Sequence, residues 1–370
     1  MISARGVARA AVVAAAVLLA VGGAAFGQTH APWPADWNDW SDPALWVHVG
    51  NPGNAGEWCG ESYGGLGPDR NCGAVPYTFN LGKFEVTAGQ YTAFLNAVAK
   101  TDTYALYNTS MDTAVYSRGC NITRTGSSGS YTYSVASDWA NRPVNFVSWG
   151  DAARFANWLT HGQPTGAQDG STTEDGSYYL NGAISAAALM AVTTRKTVAQ
   201  GGRYYIPTED EWYKAAYHKN DGVTSNYFEY PTSSNSIPGQ DMSEATNPGS
   251  NANYYSNSNG YTIGWPYYRT VVGDFENSES PYGTFDQGGN VWEWNEAIHY
   301  DSYGSYRGVR GGSCGIDVYS LYASYRYYRY YPTLEYFDIG FRVSEVPEPA
   351  SALLMAVGGI LAALRRGKRR

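Results

Sequence analysis

The chain is poor in the residues that hold transition metals. Of 370 residues, four are cysteine and five are histidine. The histidines (His30, His48, His161, His218 and His299) show no metal-ligand spacing. Positive charge is also scarce. There are 25 Lys and Arg against 33 Asp and Glu. Seven of the basic residues (Arg5, Arg9, Arg365, Arg366, Lys368, Arg369 and Arg370) sit at the two ends. Removing them leaves 18 basic against 33 acidic residues, a net of −15. Nucleic-acid affinity comes largely from phosphate neutralisation, so such a surface excludes that class of partner. It suits extracellular solution and divalent cations. No internal repeat and no linker interrupts the middle of the chain, which reads as one domain. Long apolar runs are confined to the ends.

Each end has a targeting pattern. Residues 1–27 carry Arg5 and Arg9, then "AAVVAAAVLLAVGGAAF", then Ala25 and Gly27 at the small-residue positions of a cleavage site. This reads as a secretory signal peptide cut near Gly27, rather than an uncleaved anchor. At the other end, residues 346–370 contain Pro347-Glu348-Pro349, an apolar run from Ala350 to Leu364, and a basic tail. The run is shorter than the ~20 residues a stable span prefers. The basic cluster stays on the cytoplasmic side. The order of the three elements resembles a PEP-CTERM sorting signal. That resemblance implies a bacterial protein handled by an exosortase-type enzyme and held at the membrane, cell envelope or extracellular matrix, with the tail retained or removed.

Between the ends, residues 28–41 are rich in Trp and Pro and read as a mobile arm. Residues 42–345 form the domain. Three helices carry start signals. Thr87 precedes an amphipathic run with Tyr91, Phe94, Leu95 and Val98 on one face. Ser148 with Asp151, and Thr208 with Glu211 after Pro207, have capping-box spacing. "YTYSV", "RYYIP" and "FDIGFRV" are predicted strands. Residues 232–260 are rich in Ser, Asn, Gly and Pro, so a loop of that length needs something other than a hydrophobic core to order it. Few helices, many loops and many aromatics indicate an irregular α+β domain with little regular secondary structure. The cysteines of an exported chain suggest disulfides. Cys59 and Cys72 flank a Gly-rich loop and form a natural local pair, although four cysteines allow three connectivities.

Six segments then occur in a characteristic order: "GKFEVTAGQYTAFLN", "RPVNFVSWGDAARFANWL", "YYIPTEDEWYKAA", "YGTFDQGGNVWEW", "RGVRGGS" and "IGFRV". Together they resemble the sulfatase-modifying-factor family, whose founding activity is formylglycine generation. The resemblance runs from about Gly82 to Val343 and implies an irregular α+β fold related to C-type lectins and stabilised by calcium. Calcium takes six to eight oxygen ligands of mixed type. The resemblance implies one site with the side chains of Asp286 and Glu293 and the carbonyls of Gly289 and Val291. It implies a second site with Asn253, the Tyr254 carbonyl, Asn259 and the Tyr261 carbonyl, and a further acidic position at Glu85. Asn259 stands where the family usually has aspartate.

The enzymes of this family oxidise a cysteine in a peptide substrate. They use two cysteines at plus three and plus eight from the serine of the Arg-Gly-Gly-Ser turn, and two thiolates so placed hold Cu(I). Here those positions are Ile316 and Leu321. Cys314, at plus one, would share a strand face with plus three. A displaced copper site would therefore need Cys120 as partner, whereas a structural disulfide or two buried thiols are the simpler outcomes. The iron-dependent branch of the superfamily uses histidines from an extra domain, which this chain lacks. The sequence therefore points to a calcium-stabilised binding or structural protein without copper. A divergent copper-dependent, formylglycine-generating-type oxidoreductase acting on protein cysteines is the alternative.

Binding has a candidate surface. Of 33 tyrosines, eleven fall between Tyr300 and Tyr336. "SLYASYRYYRYYP" interleaves them with arginines, a composition enriched in recognition surfaces. In this fold family the same segment forms the ligand face of diversified binding proteins. By that resemblance Tyr319, Tyr322, Arg326, Tyr327, Tyr328 and Tyr330 would contact a protein, peptide or glycan at the cell surface.

Overall fold

In the computed structural model, Pro34 and residues 36–243 and 249–346 are described. The predicted signal peptide and residues 347–370 of the sorting segment lie outside these residues. Among the described residues, no helix is long and apolar enough to cross a membrane.

The predicted capping signals start the three longest helices. Helix α1 (Ala88–Val98) is capped by Thr87, whose hydroxyl accepts from Gln90 N–H while Gln90 reaches back to Thr87 N–H. After the short α2 (Ser137–Ala140), α3 (Trp149–Thr160) begins at Ser148 with Asp151 closing the box. Beyond the short α4 (Ala186–Met190), α5 (Glu209–Tyr217) begins at Thr208 with Glu211 in the same role. Each cap is worth about 1 kcal/mol. The larger gain is the aromatic core between the helices. Phe155 of α3 packs against Tyr91 and Phe94 of α1, and against Phe341 near the C-terminal end.

Two four-stranded sheets flank this core. The first has the order β1 (Trp46–Val49), β4 (Phe79–Gly82), β14 (Ser344–Glu345), β7 (Tyr204–Tyr205), all antiparallel. The second has the order β12 (Tyr327–Tyr330), β11 (Gly304–Arg310), β10 (Trp292–Asp301), β13 (Ile339–Gly340). Its β10–β11 hairpin is antiparallel, and β13 runs parallel to β10. Three small hairpins complete the strands: β2 (Glu57–Cys59) with β3 (Arg70–Cys72), β5 (Ile122–Thr125) with β6 (Thr132–Val135), and β8 (Tyr255–Ser256) with β9 (Gly260–Tyr261). The predicted strand "FDIGFRV" is divided. Its Ile339–Gly340 joins the second sheet, and the residues just past it join the first, so Phe341–Val343 bridge the two.

The predicted mobile arm is corrected at its end. Residues 36–41 are docked on the domain. Trp40 is buried against Trp46 and Phe155, Trp37 lies on Phe84, and Gln90 donates to the Trp37 carbonyl. Two large apolar rings gain more by burial than the short backbone loses in freedom.

Glu209 at the start of α5 ties three segments together. Its carboxylate accepts from Arg70, Arg310 and Arg326 at 2.6–3.0 Å. Burial alone would raise its pKa. The guanidiniums outweigh burial and hold it well below the usual carboxylate range. A depressed folded pKa contributes stability that is complete above the unfolded value and is lost as pH falls through the folded one. Glu209→Gln is therefore expected to cost about 3–5 kcal/mol at pH 7. In thermal melts at pH 7 and pH 3, the gap between variant and parent should narrow in acid.

Candidate functional site

Asp286 and Glu293 of the first expected cation site and the further acidic position, Glu85, lie within electrostatic reach of one another. Glu85 follows β4, Asp286 precedes β10, and Glu293 lies within β10. Arg342, in the bridge between the sheets, approaches all of them. Its Nε and Nη2 donate to the two Glu293 carboxylate oxygens, both at 2.6 Å. Trp212 Nε1 donates to the same carboxylate at 2.6 Å. Arg342 also donates to the carbonyls of Gly82 and Phe285, at 2.9 Å each. Glu293 and Arg342 are both fully buried. The Glu293 carboxylate is thus the anchor of an ion pair.

Glu85 and Asp286 differ from it. Both Glu85 carboxylate oxygens are buried without a hydrogen-bond partner. Burial, and then the charge of Asp286, push its pKa well above the usual range. Asp286 accepts Gly273 N–H at 2.5 Å, and burial raises it to about 7. Two carboxylates with unspent oxygens are a donor set that suits a hard cation. Among the described residues, however, no group of three or more His, Cys, Asp or Glu is arranged to hold a metal. A cation here would rest on Glu85, Asp286 and backbone carbonyls, with Glu293 as support.

At the second expected site the protein itself engages the Tyr254 carbonyl, while Asn253 Oδ1 is buried without a hydrogen-bond partner. Gln240 Nε2 donates to the Tyr254 carbonyl at 2.8 Å, the Gly260 carbonyl at 3.2 Å and Thr262 Oγ1 at 2.9 Å. Asn253 is buried and donates to Asn290 and to the Tyr268 carbonyl, while Asn259 is exposed at the β8–β9 turn. Asn259 and Asn253 therefore do not converge, and a side-chain amide sits where the Tyr254 carbonyl would have faced an ion. The Tyr261 hydroxyl accepts from Arg118. Hydrogen bonds and buried Tyr230, Ala252 and Tyr254 order the described parts of this polar loop.

The segment after the Arg-Gly-Gly-Ser turn departs from a strand. Gly311 and Gly312 have φ of 96° and 74°. A Cβ on Gly312 would meet Ser320 Oγ at 2.2 Å. The chain then turns into a 3-10 helix, Val318–Leu321. Strand alternation therefore does not relate Cys314 to Ile316. Cys314 is fully buried, whereas Ile316 is 36% exposed. Leu321 is fully buried and packs with Tyr230, Ala252 and Tyr254. Ser313 Oγ donates to Asp338 at 2.7 Å.

A disulfide joins Cys59 and Cys72, while Cys120 and Cys314 are free and buried. Burial raises both free thiols above their ordinary pKa, Cys314 to about 12, even though the Arg269 guanidinium lowers each. Reactive cysteines need the opposite setting, partly exposed and with a depressed pKa.

The tyrosine-rich segment divides between core and surface. Tyr319 is 59% exposed, and Tyr322 stacks on it and on Tyr230. Tyr327 and Tyr330 turn inward onto Trp292 and Trp294. Arg326 is buried on Glu209 and is a framework residue, because a desolvated guanidinium is held by its carboxylate. The side chain of Tyr328 lies outside the described residues. Tyr300 and Tyr303 at the β10–β11 tip are more exposed than Tyr319, and Tyr331 and Tyr336 somewhat less. The turn residues "DSYG" mark that tip in the sequence. A cleft of about 200 Å³ escaped the sequence altogether. It places Asp151 beside Glu335 near Tyr104 and Arg154. Burial raises these carboxyls to about 6 and 8. Nothing in the sequence pairs residues so far apart.

Arg342→Ala is expected to cost about 3–5 kcal/mol, because Glu293 would be left buried and unpaired. Denaturant unfolding measures this. The thiols give a second test. An alkylating reagent should leave Cys120 and Cys314 unlabelled in the native chain and label both after denaturation, with Cys59 and Cys72 labelled only after reduction.

No curated protein matches the chain. Among the solved structures it is similar to, three align over 82% of its length. They are CarF (20% identity, 98% of that chain, TM-score 0.47), Treponema denticola variable protein 1 (18%, 95%, 0.47) and PvdO from Pseudomonas aeruginosa (19%, 94%, 0.44). The family match covers residues 60–346. With its motifs in order along an irregular fold of the formylglycine-generating-enzyme type, the chain belongs to the sulfatase-modifying factor enzyme 1-like domain family.

Proposed function

We propose that this chain is an exported, envelope-held member of the family that binds a partner or builds structure instead of oxidising cysteine. One observation carries the reading. The two positions that hold copper thiolates in the enzymes are Ile316, at the surface, and Leu321, sealed in an apolar cluster. Neither side chain can ligate a metal or exchange a disulfide. The remaining free thiols are buried in their protonated form. The sorting-type tail supports a place at the cell envelope. The exposed tyrosines Tyr319, Tyr300, Tyr303 and Tyr331 support recognition there.

Calcium belongs to this proposal as a stabilising ion. Glu85 and Asp286, with the carbonyls of Gly289 and Val291, would hold it, and its charge would offset the two carboxylates. The ion has no chemical role in the reading.

The test combines activity and stability. The purified chain is incubated with Cu(I), oxygen and a cysteine-containing sulfatase-type peptide, and the product is read by mass spectrometry. No formylglycine is expected, and product above the copper-only blank would overturn the non-catalytic reading. In parallel, calcium should raise the melting temperature of the parent relative to chelator, and Glu85→Gln should remove most of that shift. A calcium shift unchanged in Glu85→Gln would place the ion elsewhere.

A further inference from the structure

The disulfide-bonded hairpin carries an open aromatic platform. Trp58 of β2 and Tyr63, just beyond it, are 55% and 50% exposed. Their rings are nearly parallel, 12° apart, with centroids 5.9 Å apart. Exposed aromatic surface of this size costs free energy in water. A stack of two such rings on a rigid loop presents a flat apolar face, not a pocket.

The loop that holds them is fixed from several sides. The Cys59–Cys72 disulfide closes its base. Gly60 N–H donates to the Ser324 carbonyl at 3.0 Å, and Arg326 N–H donates to the Leu66 carbonyl at 2.9 Å. Gly65 lies so close to the C-terminal segment that a Cβ there would meet the Ser324 carbonyl oxygen at 2.0 Å. The platform is thus preorganised, which lowers the ordering cost of binding.

A polar groove of about 370 Å³ opens at the same turn. It is lined by Glu61, Ser62, Gly67, Pro68 and Asp69. Glu61 and Ser62 directly precede Tyr63. Asp69 accepts Ser62 N–H at 2.9 Å. The charged side chains lining the groove are both acceptors, Glu61 and Asp69. A ligand that complements them must bring donors, and one that fits the platform must bring a flat apolar face.

We infer that this surface binds a neutral pyranose polysaccharide. A pyranose with equatorial substituents has a face of C–H groups, which pack on the electron-rich face of an aromatic ring. Its hydroxyls at the ring edge donate to carboxylates. The two carboxylates of the groove and the chain's net charge of −8 repel polyanionic glycans. The site is separate from Leu321 and from Glu85, so it stands whether or not the chain binds calcium or oxidises thiols.

The test is depletion of the purified full-length chain from solution by insoluble cellulose and chitin, with soluble alginate as an anionic competitor. The parent should bind at least one neutral polymer, and alginate should not displace it. Trp58→Ala should weaken binding at least tenfold, and Glu61→Gln less. Tyr179→Ala, which removes an exposed tyrosine elsewhere, should leave it unchanged. Melting curves confirm that the variants fold, and Tyr63→Ala supplies the reading if Trp58→Ala does not. Failure to bind either neutral polymer, full binding by folded Trp58→Ala and Tyr63→Ala, or displacement by alginate would each overturn the inference.

Discussion

The buried pair of Arg342 and Glu293 is the contact on which the rest of the architecture depends. Neither side chain reaches solvent. Two charges moved out of water cost several kcal/mol each, and only close, well-directed contacts repay that cost. Here one guanidinium meets both carboxylate oxygens and two backbone carbonyls, and an indole N–H completes the carboxylate. The contact joins β10, the end of β4, the segment before β10, helix α5 and the bridge between the sheets. A chain with little regular structure gains from such a centre, because its hydrogen-bond ladders are too short to fix the relative placement of its parts. Glu209, with three arginines around it, does the same at the start of α5.

This framework is independent of the chemistry that the family's enzymes perform. The arginines and carboxylates position backbone, while Ile316 and Leu321, which stand where the resemblance expects the enzymes' thiols, make none of these contacts. The Gly311-Gly312 turn before them is set by steric need, since Ser320 closes on Gly312. Neither Ile316 nor Leu321 takes part in the ion pairs of Glu209 and Glu293, so the residues at these two positions leave those pairs intact. Leu321 fills its place with hydrocarbon, a burial worth about 1.5–3 kcal/mol. On the proposed reading the fold keeps its frame without the reaction, and function is argued from the surface.

Local rules in the sequence were legible where the chain obeys local physics. Thr87, Ser148 and Thr208 cap their helices because a hydroxyl three residues before Gln or a carboxylate satisfies orphan N–H groups. The order of motifs conveyed the fold. Partners far apart were not legible. Glu293 reads as a cation ligand until Arg342 is seen to occupy both oxygens. Gln240 has no mark in the sequence, yet it bonds the Tyr254 carbonyl. Tyr327 and Arg326 read as surface because composition does not report direction, and both turn inward. The alternation rule failed after Ser313 because the glycine turn ends the extended backbone. Trp37 and Trp40 read as part of a free arm because composition alone does not show a docking surface.

The central claim is that the framework survives without the thiol chemistry, and copper binding tests it most directly. The copper-free native chain would be titrated with Cu(I) in competition with a chromophoric chelator. The account predicts that the chelator keeps all the copper until the protein unfolds, because Ile316 and Leu321 offer no ligand and Cys120 and Cys314 are sealed as thiols. Transfer of one equivalent of Cu(I) to the folded chain would contradict it.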